Sequence, residues 1–148
     1  MQYVYESLLN KFDESIFFIR NSMKKVLIVE SPAKAKKIQK FFDDGTVCIS
    51  SIGHIRDLDQ KSLSIDIERN FEPSYIVAPD KQKTVRSIQN YAKSCDIILA
   101  ADDDREGDAI AWHCGQVANL DFSKNNRIIF HQITHSAIHK AMDNIHPL

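Results

Sequence analysis

This chain lacks an excess of charge of either sign, a cysteine framework and any long apolar run. Its 19 Lys and Arg nearly balance 20 Asp and Glu, for a formal net charge of -1. That excludes the global basic field of a self-sufficient polyanion binder, so contact with nucleic acid must come from a local patch or from other parts of a larger protein. Such binding is expected to be weak and steeply weakened by salt. The three cysteines, Cys48, Cys95 and Cys114, are odd in number, widely spaced and free of any Cys-x-x-Cys. They exclude a disulfide scaffold and read as reduced thiols in or near a core. His135 and His139 lie four apart, but no third and fourth ligand follow at finger-like spacing, which argues against structural zinc. No stretch of about 18 apolar residues is present to span a membrane. The N-terminus has no basic region followed by an apolar core, and Glu6, Asp13 and Glu14 do not suit a transit peptide, so a cytoplasmic location is the default expectation. Glycine and proline number four each. There is accordingly no flexible linker, and no glycine-rich loop for a nucleotide phosphate.

What the chain does have is an alternation of strand and helix signals from Lys24 onward. Lys25 to Glu30 reads as a short buried strand. Ser31 and Pro32 follow as N-cap and first helical residue, and the helix is expected to run through Phe42 and to end at Asp43-Asp44-Gly45, with Gly45 at the C′ position. Thr46 to Ile52 reads as the next strand. Gly53 to Glu72 is a long polar loop or small subdomain. Ser74 to Ala78, Asp96 to Ala101 and Arg127 to His131 read as strands; Lys81 to Lys93, Glu106 to Ala118 and Thr134 to Ile145 read as helices. Alternation of this kind predicts an α/β fold with an open, mostly parallel sheet of about four strands covered by helices on both faces. Residues 1–22 differ: Leu8, Phe12, Ile16 and Ile19 recur at helical spacing, as in an accessory helix with no catalytic part. The expected division is an extension over 1–22 and one domain over 23–148.

The run Asp102-Asp103-Asp104-Arg105-Glu106-Gly107 stands directly after an apolar strand. Four carboxylates this close repel one another, and a cation that neutralises them is the natural reason to keep them together. Oxygen-only ligands point to a hard ion, Mg²⁺ before Ca²⁺. In an extended segment Asp102 and Asp104 point the same way while Asp103 faces away, and Glu106 at the turn into the helix can reach the same place. The bland alternative is an acidic loop capping a helix N-terminus, where carboxylates are favoured anyway. Glu30 ends an earlier strand. In parallel sheets ligands bind beyond the carboxyl ends of the strands, so Glu30 and Asp102 meet if their strands are neighbours. Lys34, on the first turn of the helix after Glu30, is placed to hold a phosphate. Gly53-His54-Ile55-Arg56-Asp57-Leu58 adds a histidine and an arginine after a strand, a weaker phosphate or DNA contact. Trp112 reads as core and His113 as a supporting residue.

Three stretches carry a family resemblance: Val29 to Lys36, Gly53 to Leu58, and Asp102 to His113. In order and spacing they resemble the Toprim domain of type IA DNA topoisomerases, and in wording the bacterial topoisomerase I branch more than topoisomerase III. The resemblance covers about Lys24 to the C-terminus. It implies a Rossmann-like Toprim sheet, with Glu30, Lys34 and Arg105 as catalytic residues. It implies Asp102, Asp104 and Glu106 as Mg²⁺ ligands; the residues themselves add Glu30 as a further metal ligand and His54 and Arg56 as the weaker DNA or phosphate contacts. The implied reaction is cleavage of one DNA strand through a tyrosine, strand passage and religation. The implied partners are DNA and the domain that carries the tyrosine. Tyr3, Tyr5, Tyr75 and Tyr91 lack the Thr-Tyr-x-Arg context of that nucleophile, so the chain is expected to be a fragment of a larger enzyme, inactive alone. Asp103 departs from the family, which often has an apolar or small residue there. Two other readings compete: a self-contained Toprim nuclease using metal-activated water, and a non-catalytic receiver-like or nucleotide-binding α/β module. The second lacks both a placeable phosphorylatable aspartate–lysine pair and a glycine-rich loop.

Overall fold

The computed structural model describes residues 25–59 and 64–148. The expected accessory helix over 1–22 lies outside them. Among the described residues the elements run β1 (Lys25–Val29), α1 (Pro32–Gln39), β2 (Val47–Ser50), β3 (Arg56–Leu58), β4 (Ile65–Asp66), β5 (Glu72–Pro73), β6 (Tyr75–Val77), a 3₁₀ turn (Pro79–Lys81), α2 (Gln82–Ala92), β7 (Asp96–Leu99), α3 (Arg105–Val117) and α4 (His135–Met142).

The main sheet is parallel, with strand order β2-β1-β7. Val26 to Val29 are fully buried because helices cover both faces. Alternate residues of β1 therefore enter different cores. Val26 and Ile28 pack with Val85 and Ile88 of α2 and Ile110 of α3. Leu27 and Val29 pack with Ile38 of α1 and Ile138 of α4. Each fully buried Leu or Ile contributes about 1.5–3 kcal/mol. Register fixes the functional edge: Val29 pairs with Ser50, and Ile28 pairs with Leu99. From β1 the chain crosses to β2 on one side and returns as β7 on the other. Beyond the carboxyl ends of β1 and β7 lies the crevice where such sheets bind ligands.

The structure departs from the sequence reading in three places. Helix α1 stops at Gln39 with Lys40 as its C-cap; Gly45 does have a positive φ of 89°, but in a turn well past the helix end. Phe41 and Phe42 leave the helix because both turn onto the core formed with α4. The strand expected at 74–78 is not in the main sheet: β6 pairs antiparallel with β3 in a separate two-stranded ribbon. The last expected strand is reduced to a bridge, Leu99 to Arg127, flanked by Leu99 N–H to Asn126 O at 2.7 Å and Ile128 N–H to Leu99 O at 2.9 Å. It supplies the fourth strand position without running on as a ladder, and Arg127 pairs on its other side with His146.

No helix among the described residues is long and apolar enough to cross a membrane. Cys48 and Cys114 are free thiols pushed up to about 12 by burial, in keeping with inert core cysteines.

Candidate active site and metal centre

Glu30 and Asp102 leave adjacent strands and meet. The Asp102 backbone N–H donates to Glu30 Oε1 at 2.6 Å. Lys34 rises one helical turn after Glu30. Its ammonium donates to both Asp102 carboxylate oxygens, at 2.6 and 2.5 Å, and lies 3.7 Å from Glu30 Oε2. Burial alone would lower the Lys34 pKa, but the hydrogen bond to Asp102 and the charges of Glu30 and Asp102 outweigh it and hold the ammonium above its ordinary range. Lys34 therefore stays charged through neutral pH. Ser31 makes this placement possible, since its side chain accepts from the Lys34 N–H at 3.2 Å and starts α1 directly after Glu30.

The acidic turn is a strand end that becomes an N-cap. Asp104 has extended dihedrals, and its Oδ1 accepts from the Gly107 N–H at 2.6 Å. The capping reading and the ligand reading thus fall on the same residue. Asp103 and Arg105 are exposed, and Arg105 opens α3 with no hydrogen bond or ion pair among the described residues. Glu106 projects from the first turn, 70% exposed, with Oε1 3.5 Å from His54 Nε2. Gly107 is buried because a Cβ there would overlap the Asp102 backbone. The glycine is needed for close approach, not for an unusual backbone angle.

Nothing in the sequence pointed to Arg127. Its side chain is 1% exposed. It donates to the carbonyls of Ala101 at 2.7 Å, Ile128 at 3.0 Å and Asp102 at 3.0 Å, and to Asp108 Oδ1 at 3.2 Å. One guanidinium thus ties the end of β7, the acidic turn and α3 together. An arginine at the head of an apolar run reads as a solvated strand end, and its distance in sequence from Asp102 gives no hint of the contact.

The loop after β2 is also tied to this edge. The Gly53 N–H donates to the Glu30 carbonyl at 2.9 Å. Ile52, 50% exposed, sits at φ 59°, a left-handed conformation that costs a β-branched residue roughly 1–2 kcal/mol. Lys81 Nζ donates to its carbonyl at 2.9 Å and Ser50 Oγ accepts from its N–H at 2.9 Å. Asparagine tolerates this region. Ile52→Asn is accordingly expected to stabilise the domain by up to about 1 kcal/mol in urea unfolding; an unchanged or lower midpoint would show the conformation to be unstrained.

Two turns along α3 from Glu106, His113 is 7% exposed and packs edge-on to Tyr75 and Trp112, at centroid distances of 4.7 and 4.9 Å. Burial, then the positive charges of Arg56 and His54, push its pKa down to about 4, with Asp57 opposing. Because the folded pKa lies below the ordinary 6.5, the neutral ring stabilises the fold above pH 6.5, and that stability is lost as pH falls toward 4. The expected loss from this group is on the order of 2–3 kcal/mol. It is measured as the difference in urea stability between the native chain and His113→Asn at pH 7.5 and pH 4.5. Parallel pH dependences would contradict it.

Glu30, Lys34 and Asp102 are thus brought into contact. Asp104 and Glu106 stand at the same turn but engage Gly107 and His54. Among the described residues no three His, Cys, Asp or Glu side chains already converge as a metal cage. The donor chemistry nevertheless suits a hard divalent cation, with carboxylate oxygens only on one strand-to-helix turn and Asp104 and Glu106 exposed, while the Lys34 ammonium occupies both Asp102 oxygens.

Fold and site together define an α/β domain that gathers carboxylates and a lysine at the carboxyl edge of a parallel sheet. A family model described as the Toprim domain matches residues 25–133. The chain belongs to the Toprim domain family. It is also similar to full-length topoisomerase I from Thermotoga maritima, with 39% sequence identity and a TM-score of 0.77. That match covers 82% of this chain and 21% of that one, so the chain spans about a fifth of the topoisomerase's length.

Proposed function

We propose that this domain is the metal-binding half-site of a type IA DNA topoisomerase, and that it supports cleavage and religation of one DNA strand together with a tyrosine-bearing domain. The observation that carries the reading is the meeting of Glu30, Lys34 and Asp102 at the carboxyl ends of β1 and β7. The working domain is residues 23–148, with 1–22 outside the chemistry. In this reading Glu30 moves the proton at the scissile phosphate, its Oε1 oriented by the Asp102 N–H. Lys34 holds charge on a non-bridging phosphate oxygen. To do so its ammonium must share itself between the phosphate and Asp102. Asp102, Asp104 and Glu106, with Glu30, would hold Mg²⁺, which when bound orients the phosphate and offsets its charge. Arg105 is the exposed cation closest in sequence to those acids and is assigned to the phosphate as well, with His54 and Arg56 on the DNA.

Two measurements test this. In an amide NMR titration with Mg²⁺, shifts are expected to cluster at Glu30 and Asp102 to Glu106 and to vanish in the Asp102→Asn/Asp104→Asn double variant. Shifts scattered over surface acids would count against the site. In a relaxation assay on supercoiled DNA, the chain alone is expected to be inactive and to gain activity when a tyrosine-bearing topoisomerase fragment is added. Lys34→Ala should lower that activity roughly 100-fold, the usual scale for loss of one preorganised charge donor. Robust relaxation by the chain alone would sink the half-site reading, and Mg²⁺-dependent cutting without a covalent adduct would favour the nuclease.

A further inference from the structure

Arg56, Tyr75 and Trp112 belong to three different elements, yet they form one cluster. The Arg56 guanidinium carbon lies 5.3 Å from the Tyr75 ring centroid and 5.6 Å from that of Trp112, and the two rings meet edge-to-face at 5.6 Å. All three side chains are half-buried. Among the described residues the Arg56 side chain makes no ion pair and no hydrogen bond, so the five N–H donors of its guanidinium are uncommitted. That is a costly use of a planar cation if its only task is to cover two rings, because the cation–π contact satisfies none of those donors. The cluster also explains how the β3–β6 ribbon stays in place. A lone two-stranded ribbon is marginal in water, and this one is fastened to α3 through Tyr75 on Trp112 and His113.

Its position relative to the acidic turn is set by the same elements. His54, two residues before Arg56, reaches Glu106 on the first turn of α3. Trp112 lies six residues further along that helix, a rise of roughly 9 Å and about 120° round its axis. We infer that Arg56, held over the Tyr75 and Trp112 rings, is a stacking platform for a base of the single-stranded DNA whose phosphate lies at the acidic turn. Bases stack on guanidinium planes and aromatic faces alike, and the free edge of the guanidinium serves the adjoining phosphate. The inference rests on the topoisomerase reading for its ligand and adds a base-contacting subsite to it.

Trp112 is the only tryptophan in the chain, so its fluorescence reports this position alone. The test titrates the full chain, in low salt with EDTA, with an oligothymidylate of about 12 nucleotides, within the footprint of common single-strand binders, and with an abasic oligomer of equal length. Oligothymidylate is expected to quench Trp112 and to bind roughly tenfold more tightly than the abasic strand, the scale of one base–aromatic stack. Arg56→Gln and Tyr75→Leu, followed by anisotropy of a labelled oligomer, should each remove about that factor. Arg56→Gln is the safer of the two, because Tyr75 also fastens the ribbon. Equal binding and equal quenching by both strands, unchanged affinity in Arg56→Gln, or no measurable binding of either strand would each overturn the platform. The topoisomerase reading fails by a different sign, the absence of relaxation on complementation. Base-dependent quenching without relaxation would reject that reading alone, and relaxation with a Trp112 indifferent to base content would reject the platform alone.

Discussion

Arg127→Ala is expected to cost the domain about 3–5 kcal/mol, a large fraction of the 5–15 kcal/mol that holds an ordinary domain together. The guanidinium is almost wholly buried and its partners are three backbone carbonyls and one carboxylate. Removing it strands the carbonyls of Ala101 and Asp102 without donors, opens a cavity beneath the acidic turn, and leaves Asp108 without its cation. Asp108 itself is well exposed, so most of the loss comes from the carbonyls and the cavity, and Asp108→Asn should cost under about 1 kcal/mol. Urea unfolding of the two variants against the native chain separates these contributions. A loss below about 1 kcal/mol in Arg127→Ala would mean that water or a neighbouring side chain replaces the guanidinium, and that the turn does not depend on it.

Gly107→Ala is the second large effect, and its sign is opposite to what helix propensity predicts. Alanine in a helix interior is favoured over glycine by about 1 kcal/mol. Here the new Cβ falls on the Asp102 carbonyl and on the backbone atoms behind it. Backbone cannot swing aside as a flexible side chain can, so α3 and the end of β7 must separate. Overpacking of this kind costs about 1–3 kcal/mol beyond the propensity gain. The displacement also moves Asp102 relative to Glu30 and Lys34, whose contacts are close. A lower melting temperature is therefore expected together with weaker Mg²⁺-induced shifts at Asp102 to Glu106. A stabilised Gly107→Ala protein would show that the turn has slack.

Much of this was legible in the chain because it is local. Ser31 followed by proline fixed the start of α1 and with it the position of Lys34 one turn from Glu30. The apolar runs at 26–29 and 97–101 marked two buried parallel strands, each ending in an acid. The side-by-side placement of β1 and β7 was a condition stated from sequence and then met. Other features escaped for a common reason. The β3–β6 ribbon, the capture of the acidic turn by Arg127, the strained Ile52 held by Lys81 and the Arg56 cluster all join residues far apart in sequence. A single chain carries no signal for such pairs when each residue is individually unremarkable.

By itself the sequence determined the alternation of strands and helices, the two-faced burial of β1, and which acids and which lysine lie at strand ends, since propensity, capping and hydrophobic pattern act over a few residues. Only the tertiary structure decided that Lys34 lodges between Glu30 and Asp102, that Asp104 caps α3 while Glu106 turns to His54, and that a buried arginine supports the turn. Those outcomes depend on strand order and on the competition of donors and acceptors across elements, which packing settles once the sheet has formed.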